Sequence, residues 1–398
     1  MSLPGELVDE ILCRLPVKPL LQCRCVSKGW CSLIDSNAFV KKHLKKTLEC
    51  NIGGGIIINA GSDKFYLADF DSLDDPSASV VRINDPIKTL LVDSHFVGAS
   101  NGLICVFKNE MKDVFLFNPT TKKSRKIANS PPEFPTSFTP IESSMCGFGY
   151  DEVNDDYKVL KIAECYSRFR GIVAIVYSLK TNAWTRIQNV PEVCFTSNRG
   201  IFASGSLHWT AMRSPTNCKD LIVGFDLELQ QFKEVPFPPI KSLPAFPDFN
   251  IRCLLDVGGC LCITDNYPSH LDVWIMKIYE DKNTWYKALS VKQRKTLGSF
   301  TSFHPIALSK SRSDVLLEVD TEKLVWYDLD KNKVRKVRMR GIPVECNSFV
   351  YTESLLKLTM DKPLQHKPTE QKPSKDKQDK NQIERRDEFL AKGFTLRL

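Results

Sequence analysis

Hydrophobic positions follow two regimes along this chain. Over residues 1–45 they recur with helical spacing. Leu3, Leu7, Ile11 and Leu15 stand four apart and line one face of a single helix. Pro4 suits a first helical position, where a missing N–H goes unused. Pro16 stops the helix, because the residue before a proline avoids helical geometry. Pro19 can open a second short helix carrying Leu20 and Leu21, and Ser27 can cap a third that turns Trp30, Leu33 and Ile34 inward. Helices this short are marginal alone, and so small a stretch cannot bury all its apolar side chains internally. The surplus must pack on the rest of the chain or on a partner.

After residue 50 the period changes to that of strands. Runs of four to eight residues rich in Val, Ile, Phe, Tyr and Trp alternate with clusters of Gly, Asn, Asp and Pro. One phrase returns: an apolar strand, a polar turn, then a strand with an aromatic and basic residues. It reads Val114-Phe-Leu-Phe-Asn-Pro-Thr-Thr-Lys-Lys-Ser-Arg-Lys-Ile127 and again Ala174-Ile-Val-Tyr-Ser-Leu-Lys-Thr-Asn-Ala-Trp-Thr-Arg-Ile187. Further copies start at residues 222, 273 and 324, and a weaker one at 65. A repeat of about 50 residues in all-β sequence predicts a propeller with kelch-length blades. Six units over residues 50–358 predict a six-bladed β-propeller, with a two-sheet β-sandwich as the alternative. Trp184, Trp285 and Trp326 sit at comparable strand positions and are expected between sheets.

A third composition begins at residue 361. Residues 361–383 are dominated by Lys, Asp, Glu, Gln and Pro, too few apolar groups to offset the entropy of ordering, and read as a disordered charged linker. Apolar residues return in 384–398, where Phe389, Leu390 and Phe394 could form a small docking face.

Composition narrows the function classes. The chain has 398 residues, 42% hydrophobic and 26% charged, as an ordinary globular protein has. No run approaches the ~18 apolar residues of a membrane span, and helix signals from residue 3 leave no room for a signal peptide. The expected location is cytoplasm and nucleus. The 14 cysteines therefore read as reduced core thiols. Cys260 and Cys262 are two apart in a strand-like run and share a face; no C-x-x-C is present, and no metal is expected. The net charge of +8 is modest. Basic runs at Lys41–Lys46, at Lys122–Lys126 and along Lys331–Arg340 read as solvated faces beside turns, with steering of an acidic partner or a weak nuclear signal as the alternatives. No aromatic-interleaved basic stripe points to nucleic acid.

Catalytic constellations are missing. Gly53-Gly54-Gly55 lacks the Lys-Ser/Thr of a phosphate loop, and no G-x-S-x-G elbow occurs. Asp69, Asp71, Asp74 and Asp75 lack the glycine and distal glutamate of a calcium loop. His208, in the alternating strand Ser206-Leu-His-Trp209, reads as a structural histidine. Asp151 and Asp155-Asp156 flank a tight turn and are expected to bond their own backbone. No catalytic residue and no cofactor is expected.

The first 45 residues resemble the F-box, a three-helix module that docks on the Skp adaptor of Skp–cullin–F-box (SCF) ubiquitin ligases. The matching positions are Leu3, Pro4, Leu7, Ile11, Leu12, Leu15, Pro16, Val17, Leu20, Leu21, Arg24-Cys25-Val26-Ser27-Lys28 and Trp30. Cys23 departs from the pattern, standing where plant members often carry an aromatic. The later region resembles the F-box-associated domain of plant F-box proteins, through Ser100-Asn-Gly-Leu-Ile104, Phe117-Asn-Pro-Thr120, Gly147-Phe-Gly-Tyr-Asp151, Ser206-Leu-His-Trp209 and Asp272-Val-Trp-Ile-Met-Lys277. The resemblance implies a non-catalytic substrate receptor. Leu3, Pro4, Leu7, Ile11, Leu12, Leu15, Pro16, Val17, Leu20, Leu21, Val26 and Trp30 would serve the Skp adaptor and, through it, cullin, and the β-domain would hold a protein substrate. The ending after the charged linker resembles a defence-regulating branch of the family, which implies turnover of an intracellular immune receptor. The alternatives are an F-box scaffold without a degradative role and a kelch-type propeller enzyme, which would need His, Tyr and Cys converging on a central channel.

Overall fold

The computed structural model describes residues 4–50, 54–61, 64–83, 94–108, 113–131, 141–166, 170–214, 219–240, 252–267, 270–292, 303–309, 313–344 and 347–358. Four helices open the chain: α1 (Gly5–Cys13), α2 (Val17–Cys23), α3 (Lys28–Ile34) and α4 (Asn37–Cys50). Prolines set the first two. Pro4 is the cap of α1, one position earlier than its expected place, and Pro16 caps α2. Pro19 lies inside the first turn of α2, where an N–H would lack a helical acceptor anyway. The Ser27 hydroxyl accepts the Trp30 N–H at 3.1 Å and starts α3 as expected.

Among the described residues all the strands pair antiparallel, in six sheets. The second sheet holds β4 (His95–Ser100), β5 (Leu103–Lys108), β6 (Asp113–Asn118) and β7 (Lys123–Lys126), and the first holds β1 (Gly54–Asn59), β2 (Phe65–Asp69) and β3 (Val81–Arg82). The third is β8 (Ile141–Asp151), β9 (Asp156–Tyr166), β10 (Arg170–Ser178) and β11 (Ala183–Ile187). The fourth is β12 (Cys194–Phe195), β13 (Ile201–Ala203), β14 (Ser206–Met212), β15 (Asp220–Asp226) and β16 (Gln231–Val235). The fifth is β17 (Cys253–Val257), β18 (Cys260–Asn266), β19 (His270–Met276) and β20 (Trp285–Lys292). The sixth is β21 (Phe303–Leu308), β22 (Asp314–Val319), β23 (Lys323–Asp328) and β24 (Lys333–Lys336). The last strand, β25 (Asn347–Thr352), returns to pair with β1 and takes the leading place in the first sheet. This is the six-bladed β-propeller, not the sandwich. Two compact units are distinguished: the helices with the first two sheets, and the third to sixth sheets.

All six repeat starts fall in the third-ranked strand of a sheet: Phe65 in β2, Val114 in β6, Ala174 in β10, Ile222 in β15, Val273 in β19 and Leu324 in β23. The polar turn that follows has a common build in four sheets. Asn118, Asp226 and Asp328 accept N–H groups two and three residues on, and the Ser178 hydroxyl accepts the Thr181 N–H at 3.1 Å. Four residues after each comes a left-handed residue: Lys122, Asn182, Gln230 and Asn332, with φ of 52–55°. Tyr177 and Tyr327 donate to the side chains of Asn182 and Asn332, the latter at 2.7 Å. The repeat is thus a turn chemistry as much as a hydrophobic one.

Cores lie between neighbouring sheets. Ile57, Phe65, Ile104, Val106, Phe117 and Tyr351 pack in the first unit. Met145, Leu160, Trp209 and Phe225 share a cluster in the second. Of the three expected tryptophans, Trp285 and Trp326 are buried, but Trp184 is half-exposed on β11, with the Lys161 ammonium 5.3 Å from its ring centre. The fully buried indole belongs to Trp209. Cys260 and Cys262 point into one apolar cluster with Ile275 and Ala288. Asp151 accepts the Asn154 N–H at 3.0 Å and a proton of the Lys158 ammonium at 2.7 Å, and Lys158 also donates to the Leu227 carbonyl at 2.6 Å.

Two outcomes follow from these buried groups. Asp151 and Lys158 are 1% and 4% exposed, so removing one charge strands the other. Lys158→Met is expected to destabilise the chain by about 3–5 kcal/mol in equilibrium denaturation, far more than an exposed lysine replaced in parallel. A loss below about 1 kcal/mol would contradict the pairing. His43 of α4 is 2% exposed and donates from Nε2 to the Leu15 carbonyl at 2.8 Å. Burial lowers its pKa, and the Leu15 contact restores only part of the drop. The unfolded chain then takes up a proton below about pH 6.5 that the folded chain resists. Helix stability should be full above that pH and fall as pH drops toward 5. In His43→Gln the slope should flatten; equal slopes in helix-detected melts would refute the assignment.

Candidate functional site

The helices divide their apolar residues between an inner and an outer set. The inner set is Leu12, Cys13, Val17, Leu20, Ile34, Phe39 and Val40, each 5% exposed or less. Val8, Leu15, Leu21, Cys23, Trp30 and Leu33 pack against it from the margin. One member comes from the far end of the described chain: Leu355, 6% exposed. The outer set is Leu7 at 52%, Ile11 at 53% and Val26 at 63% exposure, with Pro4 and Pro16 exposed beside them in sequence, and Leu48 at 51% on α4. Leu7 and Ile11 stand one turn apart on α1 and share a face.

Polar contacts fix the helices that carry this face. Lys42 of α4 pairs with Asp9 of α1 and lies 3.5 Å from Glu10. Glu10 in turn holds Arg14 at 2.9 Å. Arg24, just after α2, donates to Asp35 at 2.7 Å. Burial pushes the Asp35 carboxyl up, but Arg24 and the Lys357 ammonium outweigh it and hold it below the ordinary carboxylate value. The Thr47 hydroxyl donates to His43 Nδ1 at 3.4 Å, which fixes the ring's orientation against Leu15.

The expected adaptor residues therefore fall into three groups. Pro4, Leu7, Ile11, Pro16 and Val26 are outward, Leu15, Leu21 and Trp30 are half-buried at the margin, and Leu12, Val17 and Leu20 are inside. The inside group cannot meet a partner directly; its part is to hold the outer face in place. Leu3 lies outside the described residues, as do Phe389, Leu390 and Phe394. Sequence periodicity found the Leu7–Ile11 face, but Leu15 lies past the end of α1 and packs at the core margin; it also missed Leu355, whose only signal was a Leu-Leu pair ahead of the charged segment.

In the second unit, the loops between Asn129 and Ser144 and between Phe237 and Asn250 lie largely outside the described residues. A groove of about 410 Å³ is lined by Arg186, Gln188, Asn189, Gln230, Leu229 and Phe232, at the ends of β11 and β15. His208 is fully buried, donates from Nδ1 to the Ile201 carbonyl at 3.2 Å and accepts the Tyr279 hydroxyl at 2.7 Å. That is a satisfied core pair. Burial pushes the Cys146 thiol up to about 12 and away from reactivity. Among the described residues no group of His, Cys, Asp and Glu is placed to hold a metal ion, and no helix is long and apolar enough to cross a membrane.

Comparison with known proteins matches this division. The F-box domain matches residues 1–42, and the F-box associated beta propeller domain matches residues 56–358. The chain is 32% identical to F-box protein CPR1 of Arabidopsis thaliana, across 99% of both chains. It is 30% identical to the F-box/kelch-repeat protein At3g23880 of the same plant, across 73% of this chain and 79% of that one. The chain belongs to the F-box proteins that carry an F-box-associated β-propeller domain.

Proposed function

We propose that this chain is the substrate-recognition subunit of an SCF ubiquitin ligase, holding the Skp adaptor through its helices and a protein substrate through its β-domain. Family membership implies that role. The observation that carries it is the outer stripe of α1, where Leu7 and Ile11 leave half their surface in water one turn apart. Adjacent exposed aliphatics on a well-packed module mark an interaction face. A subunit of this kind needs no catalytic residue of its own. It raises the local concentration of substrate lysines beside a conjugating enzyme that other subunits hold.

The finer reading is that the substrate is an intracellular immune receptor, whose removal in cytoplasm and nucleus restrains plant defence. It is supported by likeness to F-box protein CPR1 along nearly the whole chain and by the resemblance of the C-terminal ending to that branch.

Leu7→Asp with Ile11→Asp tests the adaptor face without touching the helical core. Each buried aliphatic is worth about 1.5–3 kcal/mol, so the pair should lower affinity for purified Skp by about a hundredfold or more. Circular dichroism should stay unchanged. Undiminished capture of Skp would remove the adaptor reading. Proteasome inhibition separates the degradative role from the scaffold: receptor proteins captured by the chain should accumulate on inhibition, and unchanged levels favour the scaffold.

A further inference from the structure

Two sequence phrases, Ser100-Asn-Gly-Leu103 and Phe117-Asn-Pro-Thr120, are not used by the adaptor face. Both converge on the short segment that follows β25. We propose that residues Glu353–Leu358 are a strap, that Gly102 and Asn118 form its receptor, and that its role is to lock the F-box helices to the first two sheets as one body.

The strap is held from both sides. On the sheet side, Asn118 is fully buried. Its Nδ2 donates to the Ser354 carbonyl at 3.1 Å, the Ser354 hydroxyl at 3.3 Å and the Leu356 carbonyl at 3.0 Å. Thr120 and the Tyr351 hydroxyl are 2.6 Å apart just beside it. On the helix side, Leu355 enters the core of Leu12, Val17, Leu20 and Ile34, with Leu356 packed at its margin. Lys357 donates to the Asp35 carbonyl at 2.9 Å and lies 3.4 Å from its carboxylate. Lys18 of α2 and Glu353 are 3.4 Å apart. Ser354 faces the sheets and Leu355 the helices.

The repeated architecture supplies internal controls. Asn118, Asp226 and Asp328 occupy one turn position and cap one kind of turn with a side-chain oxygen. A carboxylate suffices for that cap. Only an amide also has N–H groups to donate, and the strap is what uses them. The β4–β5 turn repeats in the same way. Gly102, Gly205 and Gly259 all have positive φ, 76–83°. A Cβ at Gly205 or Gly259 would meet nothing within 4 Å, whereas one at Gly102 would strike the Ser354 side chain and come within 2.7 Å of the Thr352 carbonyl. Turn geometry alone therefore explains neither the amide at 118 nor the closeness at 102.

The test is hydrogen exchange on the full-length chain, and it needs no adaptor, so its result is independent of the proposed function. Asn118→Asp keeps the turn cap but places a carboxylate against two carbonyl oxygens. It should speed exchange of α2–α4 amides about ten- to a hundredfold while β5 and β6 stay protected. Gly102→Ala should do the same, and Gly205→Ala, equally strained at φ, should leave the helices unchanged. Should Asn118→Asp unfold the whole chain, Leu355→Ala and Gly102→Ala are combined instead. If the strap couples the two sides, the second change adds little helix exchange to the first. Additive effects, or helices indifferent to Asn118→Asp and Gly102→Ala, would overturn the proposal.

Discussion

The pairing of β25 with β1 is the constraint on which the β-domain rests. Six residues late in the β-domain, Asn347 to Thr352, lie in register against Asn59 to Gly54. Without them the strand that carries Ile56, Ile57 and Ile58, all fully buried, would be an edge with apolar side chains on both faces. Such an edge templates aggregation. Nearly the whole β-domain lies between the two partners, and closing so long a loop costs about 5 kcal/mol of chain entropy. Ladder hydrogen bonds, the Phe96–Phe349 stack at 3.8 Å and burial of Tyr351 oppose that cost. The strap follows directly on this strand, so the helices inherit their anchorage from the same closure.

Much of this was legible in the sequence, and the reasons differ by element. The blade repeat was readable because the third-ranked strand of four sheets is followed by one kind of turn, with an oxygen-bearing side chain at its start and a left-handed residue four further on. The first sheet gave the weakest copy, for it lacks that turn and borrows its leading strand from the other end; no local pattern announces such a pairing. Periodicity also marked Leu7 and Ile11 as one face of α1, although it carried that face on to Leu15, which lies past the helix end and turns to the core. It could not tell which side of the helix was inner, because Val8 and Leu12 form a second apolar row. The core role of Leu355 was beyond reach for the same reason as β25: its partners are hundreds of positions away. Trp184 was misread: its ring lies against Tyr177 and the Lys161 ammonium and keeps part of its surface in water.

The basic runs now have a structural setting. Lys123–Lys126 is β7 and Lys333–Lys336 is β24, each the last strand of its sheet and largely in solvent. Lys126 pairs with Asp113 at 2.5 Å, and the Arg335 guanidinium lies 5.0 Å from the centre of the Trp326 ring. Charged outer strands discourage sheets of different molecules from pairing, and their aliphatic stems cover aromatics that would otherwise face water. A positive charge of this kind follows from the needs of the fold and does not call for an acidic partner.

The return of β25 to β1 also orders events during synthesis. The helices and β1 leave the ribosome first, yet the residues that complete them come roughly 300 positions later, about 15–60 s of elongation at ordinary rates. Through that interval the Ile56–Ile58 strand is unpaired on one side and the pocket for Leu355 is unfilled. A message cut short anywhere before residue 347 would yield helices that are present but not anchored, and a first sheet still open. Closure of the first sheet and filling of the helix core thus both wait on residues 347–358: until these have been made, an apolar strand stays open along one edge.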